Sequence, residues 1–196
     1  MNILAIDCCL KLTGAAILAG EKFFSEQNDL GRRQSSELPK ITERLLKSSG
    51  LSFQDLDYIA LTNGPGYFTG IRVGAAYASG LAYAAGKKII PVSSLIALRN
   101  QRPGKILTMV YAGHGFIYAG CENFLPEGEY SHEAIKNWLA ENPDAEIFSS
   151  EELEVNYEGL KITRPDLFSL CKLAKENISK AVSPLELRIS YYRNPV

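Results

Sequence analysis

Residues 63–82 read NGPGYFTGIRVGAAYASGLA, with Gly64, Pro65, Gly66 and Gly70 standing directly before an almost uncharged run. A glycine-rich turn that opens a helix is a frequent phosphate site, because bare backbone lets N–H groups approach an anion. Spacing tests the two standard forms. A P-loop, GxxxxGK[ST], needs a lysine after its last glycine to reach the outer phosphate oxygens. Here GPGYFTGI runs on to Gly86 without one. A dinucleotide fingerprint needs GxGxxG and an acidic residue roughly 20 positions on. Gly64, Gly66 and Gly70 are spaced one residue too far, and no Asp or Glu stands between Gly70 and Lys87-Lys88. Gly64, Pro65 and Gly66, with Thr69 and Arg72 after them, therefore read as a structural turn that sets the entry of a helix.

The helix itself carries more information. From Thr69 to Ala85 its only charge is Arg72, and Gly70, Gly74, Ala78 and Ala82 recur every fourth position. Such a ridge of small side chains lets a second helix approach closely. A helix lying on its own sheet should show water a polar outer face, but this one offers Tyr77, Tyr83, Ser79 and alanines. Either it is buried between its own sheet and a neighbouring helix, or another subunit covers it. Arg72 opposes the dipole of its first turn, so it should have an own-chain carboxylate or carbonyl as partner.

Outward from this stretch, NILAID (2–7), TGAAILAG (13–20) and KFFSEQ (22–27) read as three strands of an antiparallel meander. The amphipathic helix 37–49 follows, with Ser36 as N-cap, Gly50 past its end, and Leu38, Ile41, Leu45 and Leu46 as its apolar stripe. DYIALTN (57–63) and KKIIPVSS (87–94) are further strands, and SLIALRN is a short helix. The charged joint RNQRPGK (99–105) divides an N-terminal lobe, 1–100, from a smaller C-terminal lobe, 105–196. In that second lobe ILTMVYAG and FIYAGCEN form a hairpin, and HEAIKNWLAEN is a helix. AEIFSS is a strand and 165–179 a helix with Pro165 near N1, while PLELRISYY (184–192) is a closing strand or tail. The order is that of an α/β half-domain of the actin-like, ribonuclease H-like class: two lobes of mixed sheet flanked by helices.

Composition is ordinary: 46% apolar, 22% charged, net charge −1. That sum carries no footprint for nucleic acid or an anionic membrane, and the apolar run 73–85 is shorter than the ~20 residues of a membrane span. MNILAID has no signal-peptide pattern, and the cysteines (Cys8, Cys9, Cys121, Cys171) form no CxxC pair. Together these point to a reduced, cytoplasmic protein. His114 and His132 are the only histidines and form no HxxxH pair, so no metal and no cofactor is expected. Asp7, at the end of a buried strand, is either a remnant of a nucleotide site or a carboxylate capping the hairpin. Arg32, Arg33 and Lys40 are candidate phosphate contacts or a solvated surface.

GPGYFTGIRVGAAYASGLA, preceded by ILAID and followed by PVSSLIAL, resembles the TsaB (YeaZ) family, whose hallmark is GPGSFTGLRIGxxxAKGLA with a VSSL-like segment. The match spans most of residues 1–100. Beyond it, Ala112, Gly115 and Tyr118 fit the family's DARxGEVY segment, and PLELR fits its PLYLR. The resemblance implies an actin-like fold and a non-catalytic subunit. Such a subunit pairs with a homologous TsaD-type protein that carries the metal and transfers threonylcarbamoyl to tRNA adenosine. It implies a TsaE-type ATPase as third member, tRNA met only through the complex, and a homodimer when the chain is alone. The interface it implies is Leu38, Ile41 and Leu45 of helix 37–49 with Gly70, Val73, Gly74, Tyr77, Ala78 and Leu81. Cys8-Cys9 replaces the family's hydroxyls after Asp7, and Tyr111 and Phe116 replace its Asp and Glu. Both changes weaken a case for independent nucleotide chemistry. The rival expectations are an actin-like small-molecule kinase or ATPase, and a peptidase of the glycoprotease type.

Overall fold

The computed structural model describes residues 1–192. β1 (Asn2–Asp7), β2 (Thr13–Ala19) and β3 (Lys22–Asn28) form the antiparallel meander, turning at Gly20-Glu21. β4 (Tyr58–Thr62) and β5 (Lys88–Val92) add in parallel beyond β1, giving the order β3-β2-β1-β4-β5. β1 sits at the centre with Ile3 to Ile6 wholly buried. Covered on both faces, it reads as a continuous apolar run rather than an alternating one.

α1 (Gln34–Ser49) and α2 (Phe68–Ala85) cover one face, packing on Leu4, Ile6, Ile17, Ile59 and Leu61. The opposite face, with Ile3, Ala5, Ala60 and Ile90, is covered by α5 (Leu167–Glu176) through Leu167, Leu170, Cys171 and Ala174. The second sheet has the order β10-β9-β6-β7-β8. Its strands are β6 (Ile106–Gly113), β7 (Phe116–Cys121), β8 (Leu125–Ser131), β9 (Glu146–Ser149) and β10 (Lys161–Ile162). α4 (His132–Glu141) covers one side of it through Ile135, Trp138 and Leu139. Between the sheets, Leu95 and Leu98 of α3 (Ser94–Arg99) meet Cys9, Leu10, Ile71 and Val110 in a small joint core.

Several expected boundaries shift. α1 starts at Gln34 because a 3₁₀ turn, Gly31–Arg33, runs straight into it. Ser36 is therefore inside the helix, its hydroxyl donating to the Arg33 carbonyl at 3.0 Å rather than capping. In α5 the cap is Asp166, whose carboxylate accepts from the N–H groups of Phe168 and Ser169. Pro165 precedes that cap instead of occupying N1. β8 and β10 were not foreseen: Pro126 and Gly128 break the apolar alternation of LPEGEYS, and β10 is two residues long.

PLELRISYY forms no strand. It runs back over the first sheet's end, where Ser190 N–H donates to Asn63 O at 2.9 Å and Asn63 Nδ2 donates to Arg188 O at 3.0 Å. Together with α5, this segment takes part of the interval 105–196 back to the first sheet.

Candidate functional site

β1 ends by placing Asp7 and the Cys8-Cys9 turn beneath the glycine loop. Asp7 has no exposed surface. Its Oδ1 accepts from Thr62 Oγ1 at 2.6 Å and Cys9 N–H at 3.3 Å, while Oδ2 has no partner among the described residues. Burial pushes its pKa up to about 6, against the pull of those two hydrogen bonds. The Cys8 and Cys9 thiols are also raised by burial, Cys9 to about 12, so both stay protonated and un-nucleophilic at neutral pH. The strand end presents neither an open carboxylate nor a thiolate.

The loop seals it. Tyr67 N–H donates to Cys9 O at 2.7 Å, and Gly64 O accepts from Ser94 N–H at 2.8 Å. A Cβ on Gly66 would fall inside 3 Å of the Cys9 carbonyl oxygen, and one on Gly70 inside 3 Å of the Cys8 carbonyl oxygen. The glycines thus admit the chain's own backbone. Carbonyl oxygens, partially negative, stand where an anion would approach the start of α2. Pro65 is buried in the same loop and Thr69 is exposed in the first turn.

The small-residue ridge needs the same correction. Gly70, Gly74, Ala78 and Ala82 are buried, and a Cβ on Gly74 would lie 3.2 Å from Cys8 Cβ and 3.4 Å from Leu61 Cδ1. The ridge lets α2 settle onto its own sheet, not onto another helix. Leu38, Ile41 and Leu45 are likewise core side chains, at most 5% exposed. Val73, Tyr77 and Leu81 are half-buried, Tyr77 pairing with Thr42 of α1. What α2 turns to solvent is Phe68, Thr69, Arg72, Ala76, Gly80, Tyr83 and Ala84, with Tyr83 72% exposed.

Among the described residues Arg72 finds neither a carboxylate nor a carbonyl. Its guanidinium lies 3.6 Å from the Phe68 ring centroid, and Nε donates to Tyr191 OH at 3.2 Å. Nothing local announces Tyr191, which lies 119 positions away. Gln34 is a second residue that spacing missed: its Nε2 donates to Thr13 Oγ1 at 2.7 Å, beside Gly70. Lys40 is held by Glu37 at 2.9 Å, whereas Arg32 and Arg33 are exposed and form no ion pair among the described residues.

The histidines stand apart from this region. His114 is at φ 54° in the β6–β7 turn, and His132 Nδ1 is 2.8 Å from Tyr157 OH. Among the described residues no group of three or more His, Cys, Asp or Glu could hold a metal ion, so the side chains present do not fit one. A cavity of about 890 Å³ opens between the sheets, lined by Leu10, Lys11, Asp29, Glu151 and Arg164 among others. Asp7 is not in its wall. Among the described residues no helix is long and apolar enough to cross a membrane.

Two mixed sheets with flanking helices, joined at the ends of β1 and β6, define an α/β protein of the two-lobed ribonuclease H-like, actin-like class. Two solved Pseudomonas aeruginosa structures share the whole architecture. A protein described as similar to the peptidase YeaZ matches with TM-score 0.84 at 22% identity, covering 98% of this chain and 99% of that one. YeaZ itself matches with TM-score 0.77 at 20% identity, covering 97% and 99%. The family model described as TsaD, tRNA N6-adenosine threonylcarbamoyltransferase, matches residues 27–172. The chain belongs to that family, in its TsaB/YeaZ branch. Over 101 residues it is 41% identical to the tRNA threonylcarbamoyladenosine biosynthesis protein TsaB of Haemophilus influenzae, covering 50% of this chain and 42% of the relative. Over 112 residues it is 36% identical to the Moorella thermoacetica tRNA N6-adenosine threonylcarbamoyltransferase, covering 48% and 33%. The chain thus spans less than half the length of either relative.

Proposed function

We propose that this chain is a non-catalytic subunit in the making of threonylcarbamoyladenosine in tRNA, working in the cytoplasm as partner of a TsaD-type homologue. A TsaE-type ATPase joins the pair, tRNA is met through the assembly, and the free chain forms a homodimer. The sealed end of β1 carries the reading. The strand-end carboxylate of Asp7 is buried beneath the loop, the loop's Tyr67 N–H donates to Cys9 O, and Gly66 and Gly70 admit the Cys9 and Cys8 carbonyls. A subunit without open chemistry acts through its surface, and the surface left unexplained is the outer side of α2.

The proposed interface accordingly moves outward. Leu38, Ile41, Leu45, Gly70, Gly74 and Ala78 support it from below. Val73, Tyr77 and Leu81 form its edge, and Ala76, Gly80 and Tyr83 its centre. Gly80 adds weight: a Cβ there meets nothing within 4 Å. A mid-helix glycine costs about 1 kcal/mol against alanine, and close approach of a partner backbone would account for it.

Co-expression with the TsaD-type homologue and gel filtration tests this. Ala76→Arg and Gly80→Arg should leave the circular dichroism of the free chain unchanged and its melting temperature no lower, while abolishing the complex. Gly74→Leu does not serve, because it would strike Cys8 and Leu61 in the chain's own core. A complex that tolerates both arginines would remove this face from the interface, and ATP turnover well above background by the chain alone would favour the kinase alternative.

A further inference from the structure

One cluster on the described surface is not absorbed by the protein interface. The first turns of α1 and α2 stand side by side, with Gln34 Nε2 3.4 Å from the Cβ position of Gly70. Arg32 and Arg33 lead into the first of these turns, and Tyr67, Phe68 and Arg72 form the second. Tyr191 joins from the returning segment, its ring centroid 5.6 Å from that of Phe68. Tyr67, Phe68 and Tyr191 are 41%, 43% and 38% exposed, unusual for aromatic rings so close together. The three arginines are exposed, and among the described residues no carboxylate forms a salt bridge with them, Arg33 feeling Glu37 only at longer range. The acids nearby are already engaged. Asp29 accepts from Gly31 N–H, Glu151 accepts from Tyr67 OH, and Glu37 holds Lys40.

We propose that Arg32, Arg33, Tyr67, Phe68, Arg72 and Tyr191 form a contact for an unpaired stretch of the tRNA that the assembly modifies; the proposal rests on the family reading above. Guanidinium groups without acid partners suit phosphates, which RNA supplies at every nucleotide. A protein partner would have to place carboxylate or carbonyl oxygens against them. Bases stack on aromatic rings and on guanidinium planes. The Arg72 guanidinium, exposed and over the Phe68 ring, is the group on which a base would stack. The N6 amino group of adenosine is a Watson–Crick donor, so chemistry at that atom requires unpaired RNA near the assembly.

The experiment titrates fluorescein-labelled tRNA into the intact complex of this chain with its TsaD-type partner, over a range of salt. Arg32→Ala/Arg33→Ala should weaken binding and flatten the plot of log affinity against log salt by about 1.4, two phosphate contacts at ~0.7 each on single-stranded RNA. Phe68→Leu, which keeps an apolar side chain under Arg72, should weaken binding about tenfold with the salt slope unchanged. Lys88→Ala, at the opposite end of the sheet, is the charge control and should change neither. Wild-type affinity and slope in both variants would overturn the proposal. So would loss of the complex in the arginine variant, which would assign the patch to a protein partner. Failure of the wild-type chain to form any complex is a different result and would sink the family reading instead.

Discussion

At Gly70 a methyl group would strike the backbone carbonyl of Cys8, whereas at Gly80, ten residues along the same helix, it would meet nothing within 4 Å. Two alanine substitutions of identical chemistry should therefore move stability in opposite directions. Gly70→Ala should lower it by about 1–3 kcal/mol or more, since rigid backbone must shift. Gly80→Ala should raise it by about 0.5–1 kcal/mol; urea unfolding of the isolated variants reads both. Asp7 gives a prediction with a sign. Its folded pKa of about 6 lies above the ordinary value, so the folded state binds the proton more tightly than the unfolded one. Its contribution is fully present below about pH 4, is lost as pH rises to about 6, and is flat above. The total is about 3 kcal/mol, from 1.36 kcal/mol per pH unit. Asp7→Asn should abolish this falling limb, seen as a stability difference from wild type that grows between pH 4 and 6 in denaturant titrations.

Among the elements, most of the first sheet was legible because β1, β2, β4 and β5 are largely apolar runs and α1 carries a single apolar stripe. The candidate site was only half legible. Periodicity tells which residues share a face, and it correctly grouped Gly70, Gly74 and Ala78 on one and Leu38, Ile41 and Leu45 on another. It does not tell what the face meets, and here both meet the chain's own sheet. Leu38→Ala distinguishes the two situations directly. As a core side chain with no exposed surface, it should cost the isolated chain about 2–5 kcal/mol, measured by thermal unfolding without any partner. An interface side chain would leave that melt unmoved. Tyr191 was illegible for a different reason: its contacts with Phe68 and Arg72 arise from the path of the returning segment, which no local pattern encodes.

For the whole molecule, sequence intervals and packed bodies do not coincide. The joint at 99–105 separates the two sheets, yet α5 leaves the second to cover Ile3, Ala5, Ala60 and Ile90 of the first. A fragment of residues 1–104 should consequently fail to melt cooperatively, while adding residues 165–192 as a separate peptide should restore order, followed by near-ultraviolet circular dichroism. The segment that brings Ser190 to Asn63 and Tyr191 to Arg72 also sets an order of events during synthesis. The glycine loop and the start of α2 emerge from the ribosome early, but the parts that close over them emerge only after the whole second sheet has been made. The surface proposed for partner and RNA is therefore finished last. A nascent chain would lack the finished surface until residues up to Tyr191 have emerged, so a copy broken off earlier should fail to assemble.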